Sequence, residues 1–144
     1  MRRIRRMEER DLEQVCAIEN AVFTEPWSRT SFERALKQEQ NLYLVCERDS
    51  EIEGYCGLWG VAGEGQITNV AVKESARRQG IGRQLLESLL EKGREAGLTA
   101  YTLEVRVSNS GAIRLYHRLG FGDSEIRPDF YERPKEDALI MWRL

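Results

Sequence analysis

One stretch, Gly65 to Gly97, limits what this chain can fold into more than any other. A short β-rich apolar run (Ile67, Val70, Ala71, Val72) meets a tight loop, Arg77-Arg78-Gln79-Gly80-Ile81-Gly82-Arg83, and the loop opens a long helical pattern. Ile81, Leu85, Leu86, Leu89 and Leu90 recur at helical spacing, so the helix has one apolar face. A glycine loop at a helix start is built for anions. Glycines let backbone N–H groups approach a ligand closely. The first N–H groups of a helix have no internal partner, and the helix dipole favours negative charge there. Arg77, Arg78 and Arg83 add positive charge, and a diphosphate is the natural occupant. The plainer alternative is a helix N-terminus that merely carries basic residues.

The loop lacks the Lys-Ser/Thr ending of a P-loop, and Leu85 stands where a dinucleotide fingerprint needs its third glycine. At 144 residues the chain is expected to form one domain, 1–144, with 41% hydrophobic and 32% charged residues, the balance of a globular protein. A net charge of −2 argues against direct nucleic-acid binding, although Arg2, Arg3, Arg5 and Arg6 cluster around Ile4; a solvated edge strand explains them better. Cys16, Cys46 and Cys56 are too few and too scattered for a disulfide framework or zinc site, and His117 is the single histidine, so no metal is expected. There is no signal-peptide apolar stretch and no membrane-length run, which points to the cytoplasm and to no membrane partner.

Along the chain, Arg2 to Met7 reads as a strand. Asp11 precedes an amphipathic helix carrying Leu12, Val15, Cys16, Ile18 and Val22, which Pro26 and Trp27 interrupt. Ser28 or Thr30 caps a second short helix with Phe32 and Leu36. Leu42 to Cys46 and Ile52 to Trp59 pair as a hairpin across Asp49-Ser50, and Gly60 and Gly63 open a loop into the next strand. Gly97 ends the long helix, Tyr101 to Val107 is a strand, and Ser108 or Asn109 caps a helix with Ala112, Ile113, Leu115, Tyr116 and Leu119 on its apolar face, ended by Gly120. Phe121 to Tyr131 and Ala138 to Trp142 form a closing antiparallel pair. The fold class is α/β, with a mixed, mostly antiparallel central sheet flanked by helices.

The loop resembles the Arg/Gln-x-x-Gly-x-Gly/Ala motif of the GNAT N-acetyltransferases. Asn109 to Phe121 resembles a second GNAT signature, Asn-x-x-Ala-x-x-Leu-Tyr-x-x-x-Gly-Phe, in the expected order. Pro26-Trp27-Ser28, Leu103-Glu104-Val105-Arg106, Ser108-Asn109, Ile126-Arg127 and Glu136 to Met141 are similar to the RimI-type ribosomal-protein alanine N-acetyltransferases. That resemblance implies a GNAT fold, acetyl-CoA as co-substrate, and as acceptor the N-terminal alanine of small-subunit ribosomal protein eighteen. The chain departs from the family at Phe130-Tyr131, where two adjacent tyrosines are usual, and in the short loop that follows.

The resemblance also assigns roles. Glu104 matches the general base; as an arbitrary strand glutamate it would simply face solvent. Tyr116 matches the acid that protonates the leaving thiolate; periodicity alone makes it a core tyrosine. Val70, Ala71 and Val72 would hold the pantetheine arm by backbone groups and polarise the thioester carbonyl. Arg77, Arg78, Gln79, Gly80, Ile81, Gly82 and Arg83 would cradle the diphosphate, and Asn109 would cap its helix and touch the cofactor. Trp27 lines the peptide entrance or is a buried aromatic at the helix–helix turn, and Tyr131 is the second substrate-side residue. An α-amine, with a pKa of about 8, is roughly one-tenth neutral at pH 7, so a modest base suffices. Rival readings are a GNAT enzyme for another acceptor (lysine, another protein N-terminus, a small amine) and a coenzyme-A-binding module without turnover.

Overall fold

A computed structural model describes all of residues 1–144. Its strands are β1 (Arg2–Arg6), β2 (Leu42–Arg48), β3 (Glu51–Val61), β4 (Glu64–Val72), β5 (Ala100–Arg106), β6 (Gly122–Glu132) and β7 (Lys135–Arg143); its helices are α1 (Leu12–Val22), α2 (Arg29–Leu36), α3 (Ile81–Glu95) and α4 (Ser110–Arg118). The strands form one seven-stranded sheet in the order β1-β2-β3-β4-β5-β7-β6. Only β4 and β5 run parallel, because α3 carries the chain back across the sheet between them. This is the mixed, mostly antiparallel α/β sheet that the sequence predicts.

Each face of the sheet is sealed by a helix pair. Ile81, Leu85, Leu86 and Leu89 of α3, with Tyr116 of α4, pack on Leu44, Cys56, Leu58, Leu103 and Met141. On the other face Leu12, Val15 and Ile18 of α1 and Phe32 and Ala35 of α2 pack on Tyr43, Val45, Tyr55 and Ala71. A fully buried leucine or isoleucine contributes about 1.5–3 kcal/mol, so the α3 stripe is a principal anchor of the sheet.

Local chemistry sets most ends. Ser28 caps α2 by accepting from Ser31 N at 3.1 Å, and Asn109 caps α4 by accepting from Ala112 N at 3.2 Å. Gly97 and Gly120 follow their helices with φ of 91° and 94°. Asp11 precedes α1 without capping it; its carboxylate accepts from Glu8 N and, at 2.8 Å each, from both terminal nitrogens of Arg5. Arg5 also pairs with Glu47 at 2.9 Å. The arginine cluster thus lies on an edge strand, as expected, but Arg5 is not solvated; it ties β1 to β2 and to the start of α1.

Two boundaries differ from the sequence reading. Gly60 lies inside β3, and the expected loop is the two-residue turn Ala62-Gly63, with φ of 51° and 83°. Both central residues are left-handed, the hairpin turn whose twist matches the strands. The final hairpin also runs further, from Gly122 to Arg143.

Candidate active site

The site begins with a strand that stops pairing. β4 and β5 are in register over Glu64, Gly65 and Gln66 alone. Beyond Gln66, β4 continues to Val72 and β5 to Arg106 without meeting. A bulge accompanies the parting: Gly57 pairs with Asn69 and Leu58 with Ile67, which leaves Thr68 as an extra residue in β4. Val70, Ala71 and Val72 are bound to β3 on one side and have no strand on the other. An unpaired strand edge inside a V-shaped opening suits an extended amide-bearing arm.

At the wide end of the V sits the glycine loop. Arg78 and Gly80 have φ of 65° and 75°, and Gly80 is the N-cap of α3. The helix ladder starts with Gln84 N donating to Gly80 O at 3.0 Å, so the N–H groups of Ile81, Gly82 and Arg83 precede it and point out of the helix end. The arginines divide their work. Arg77 donates back to Val72 O at 3.3 Å, Arg83 pairs with Glu87 one turn on, and Gln79 contacts Arg2 from the edge strand. The two glycines differ in kind. A residue with a Cβ at Gly80 would be strained by the positive φ, whereas a Cβ at Gly82 meets only Val72 and Leu115, at 3.7 and 4.0 Å. The fold does not require glycine at 82; a ligand lying on the helix end would. The cradle fits a diphosphate.

Glu104 and Tyr116 belong to opposite faces of the sheet around this opening. Glu104 is half-buried on β5, and Gln66 Nε2 donates to both its oxygens, at 3.3 and 3.4 Å. Tyr116 is 8% exposed, its ring packed edge-on against Phe121 with centroids 5.8 Å apart. Burial pushes its phenol well above the usual tyrosine range, so it is protonated throughout the neutral range. Tyr131 lies on the Glu104 side. Burial, helped by the Glu104 charge, pushes its pKa up to about 12. Phe130 beside it is 42% exposed; Tyr131 is the member of the pair that turns in.

Several residues to which the sequence reading gave no role build this side of the site. Arg106 stacks on the Tyr131 ring, 4.3 Å from its centroid, and donates to Glu136 at 3.1 Å, to Pro134 O at 2.8 Å and to Arg133 O at 3.0 Å. Glu136 accepts from Ser108 N at 2.8 Å. Arg106 therefore fixes both Tyr131 and the β6–β7 turn, and Thr24 reaches the same Arg133 carbonyl from the α1–α2 connection. Glu19 is 2% exposed, yet it accepts from Trp27 N at 2.9 Å, from Asn69 Nδ2 at 3.4 Å and from the Tyr55 hydroxyl. Its signal was in the sequence: with Val15, Ile18 and Val22 it falls on the apolar stripe of α1, where a carboxylate needs partners. Trp27 is thereby a packed aromatic, with Phe32, Tyr43 and Trp59 at 5.1, 6.3 and 5.8 Å, and it also borders an open groove. Glu19→Leu strands three donors and is expected to cost about 3 kcal/mol, roughly 10 °C in Tm, measured by thermal unfolding. A loss below 1 kcal/mol, checked by denaturant titration, would show that the hub is dispensable. No group of three or more His, Cys, Asp or Glu side chains converges on a point where a metal ion could be held.

Known proteins are similar to this chain over nearly its whole length. The Acetyltransferase (GNAT) family matches residues 12–121. The [ribosomal protein bS18]-alanine N-acetyltransferase of Escherichia coli (strain K12) is 34% identical over 143 residues, 98% of this chain and 96% of that protein. A Bacillus subtilis (strain 168) protein, whose name carries the same activity provisionally, is 41% identical over 140 residues, 96% of this chain and 93% of its own. The crystal structure of the Escherichia coli ribosomal-protein-S18-alanine N-acetyltransferase superposes with a TM-score of 0.92 at 34% identity, over 99% of this chain and 93% of that one.

Proposed function

The chain belongs to the GNAT acetyltransferase family and is an acetyl-CoA-dependent N-acetyltransferase, and from that premise we propose that it acetylates an N-terminal alanine, that of ribosomal protein bS18, with Glu104 as general base and Tyr116 as general acid. The observation that carries the chemistry is the parting of β4 from β5, with Glu104 on one side of the opening and Tyr116 on the other. The acceptor is supported by the names of relatives that match nearly end to end. Bound acetyl-CoA supplies an acetyl group already activated as a thioester, and the chain's residues manage protons. Glu104, oriented by Gln66, takes the proton that leaves the amine as its nitrogen bonds to the acetyl carbon. Tyr116, held protonated by burial, offers its hydroxyl to the departing sulfur as the carbon–sulfur bond breaks. Arg106 holds Tyr131 against the acceptor side, and no helix of the chain is long and apolar enough to cross a membrane.

Acetyl-CoA with a panel of N-terminal peptides, the product located by mass spectrometry, tests the reading. Acetylation confined to α-amines of alanine-ended peptides is expected; transfer only to lysine side chains or to small amines would overturn the acceptor assignment. Tyr116→Phe keeps the ring packing against Phe121 and removes the hydroxyl. It is expected to lower kcat by roughly 10–10³-fold with the Kd for acetyl-CoA little changed, because the proton is needed only in the transition state. An undiminished kcat would return Tyr116 to the core alone.

A further inference from the structure

The glycine loop has few ties to the rest of the molecule. Residues 77–80 are exposed, between the buried side chains of Ala76 and Ile81. Arg78 and Gly80 are left-handed, with φ of 65° and 75°. Arg78, Gln79 and Gly80 donate no backbone–backbone hydrogen bond, which leaves their N–H groups free for a ligand and the segment without a ladder of its own. One side chain of the three reaches across the fold: Gln79 Oε1 accepts from a guanidinium nitrogen of Arg2. Arg2 is itself held, because its Nε donates to Glu53 at 2.7 Å. Glu53 is the extra residue of a bulge, since Cys46 pairs with Gly54 and Glu47 with Ile52. The Glu53 carbonyl accepts from Lys73 N at 2.8 Å, just beyond β4 on the way to the loop. A bulge in β3 thus aims one carboxylate at the edge strand, and the edge strand aims one arginine at the middle of the loop.

We propose that Arg2 is a positioning residue for acetyl-CoA: it acts through Gln79 to hold the loop in the shape that receives the diphosphate. The proposal rests on the reading of residues 77–83 as the cofactor cradle. Two left-handed residues within three make a shape that an unrestrained chain seldom visits. A site populated for only part of the time binds with an affinity reduced by that fraction. A tether that raises the fraction therefore tightens binding without touching the ligand. Arg2 is not needed to keep β1 in the sheet. Arg2 to Arg6 pair in register with Arg48 to Leu44, Ile4 packs against the α3 side of the core, and Arg5 is bound to Asp11 and Glu47. The partly exposed Arg2–Glu53 pair adds little to stability by itself. Its use is to point the guanidinium at Gln79.

The test is a double-mutant cycle on Arg2 and Gln79, read by isothermal titration with acetyl-CoA and by steady-state kinetics. Arg2→Ala and Gln79→Ala are each expected to weaken the Kd by roughly 10-fold, the worth of one charge-assisted hydrogen bond, with kcat at saturating acetyl-CoA little changed. The double variant should be no weaker than the weaker single one, because both substitutions cut the same tether. Arg2→Lys, which keeps a donor and the charge, should recover part of the loss. A second substrate separates positioning from general damage. S-acetylpantetheine carries the same thioester and no diphosphate, so the preference for acetyl-CoA over it, in kcat/KM, should shrink by about the same 10-fold in Arg2→Ala. An unchanged Kd in Arg2→Ala, losses that multiply in the double variant, or an equal loss on both thioesters overturns the role of Arg2 and leaves the cradle standing. A Gly82→Val protein that binds acetyl-CoA like the parent removes the cradle, and the role of Arg2 falls with it. Gln79→Ala, on an exposed loop, decides the matter even if Arg2→Ala does not fold.

Discussion

Glu104→Gln is expected to lower kcat/KM for an alanine-ended peptide at pH 7 by roughly 10²–10⁴-fold, the usual worth of a positioned general base. The substitution is nearly isosteric, and the new amide oxygen still accepts from Gln66 Nε2, which now bonds both carboxylate oxygens at 3.3 and 3.4 Å. The capacity to take a proton is lost. Without it the enzyme depends on amine already neutral in solution, about a tenth of the total at pH 7. The deficit should therefore narrow as the pH is raised through the amine's own pKa of about 8. A spectroscopic readout accompanies the kinetic one. The Glu104 charge helps hold the Tyr131 pKa up at about 12, after burial as the main cause. A nearby negative charge disfavours phenolate, so removing it should move the Tyr131 titration downward. A shifted tyrosine titration with unchanged acetyl-CoA affinity would show that only the charge was removed. Superimposable pH profiles of the two proteins would displace Glu104 as the base.

The sequence made some of this site legible and hid the rest for physical reasons. The α3 stripe and the loop before it could be read because helical period and glycine spacing are local properties. Asn109 and Ser28 could be read as caps for the same reason. The bulge at Thr68 could not: Ile67, Thr68, Asn69 and Val70 look like any strand, and the extra residue exists only relative to Gly57 and Leu58 of the neighbour. The parting of β4 from β5 is likewise a relation between strands, although it creates the opening on which the proposed chemistry depends. Ala62 shows a different failure. A hairpin turn with left-handed φ usually advertises itself by asparagine or aspartate, and an alanine at φ 51° gives no such sign. Arg106 was visible as part of a motif but not as a clamp, because its partners Arg133, Pro134 and Glu136 come from a hairpin far along the chain.

Gly82→Val should abolish measurable acetyl-CoA binding in a protein that remains folded, and this separates the two glycines that the sequence motif treats alike. At Gly80 a Cβ meets nothing within 4 Å, but φ is 75°, so any L side chain strains the backbone before a ligand is considered. Loss of function in a Gly80 variant would therefore be ambiguous. Gly82 lies within α3 in ordinary helical conformation, and its Cβ would make only van der Waals contact with Val72 and Leu115. Glycine in a helix is about 1 kcal/mol less favourable than alanine, so the fold loses nothing by the exchange. The N–H groups of Ile81, Gly82 and Arg83 precede the first ladder bond, and a diphosphate on that helix end occupies the space into which a valine side chain would grow. Thermal unfolding is expected to give a Tm equal to or slightly above that of the parent, and isothermal titration a Kd for acetyl-CoA weakened by more than about 100-fold. Gly82→Ala should fall between, with one methyl to accommodate rather than three carbons. An unchanged Kd in a folded Gly82→Val protein would remove the helix end from the cofactor site and leave the arginine loop as surface charge.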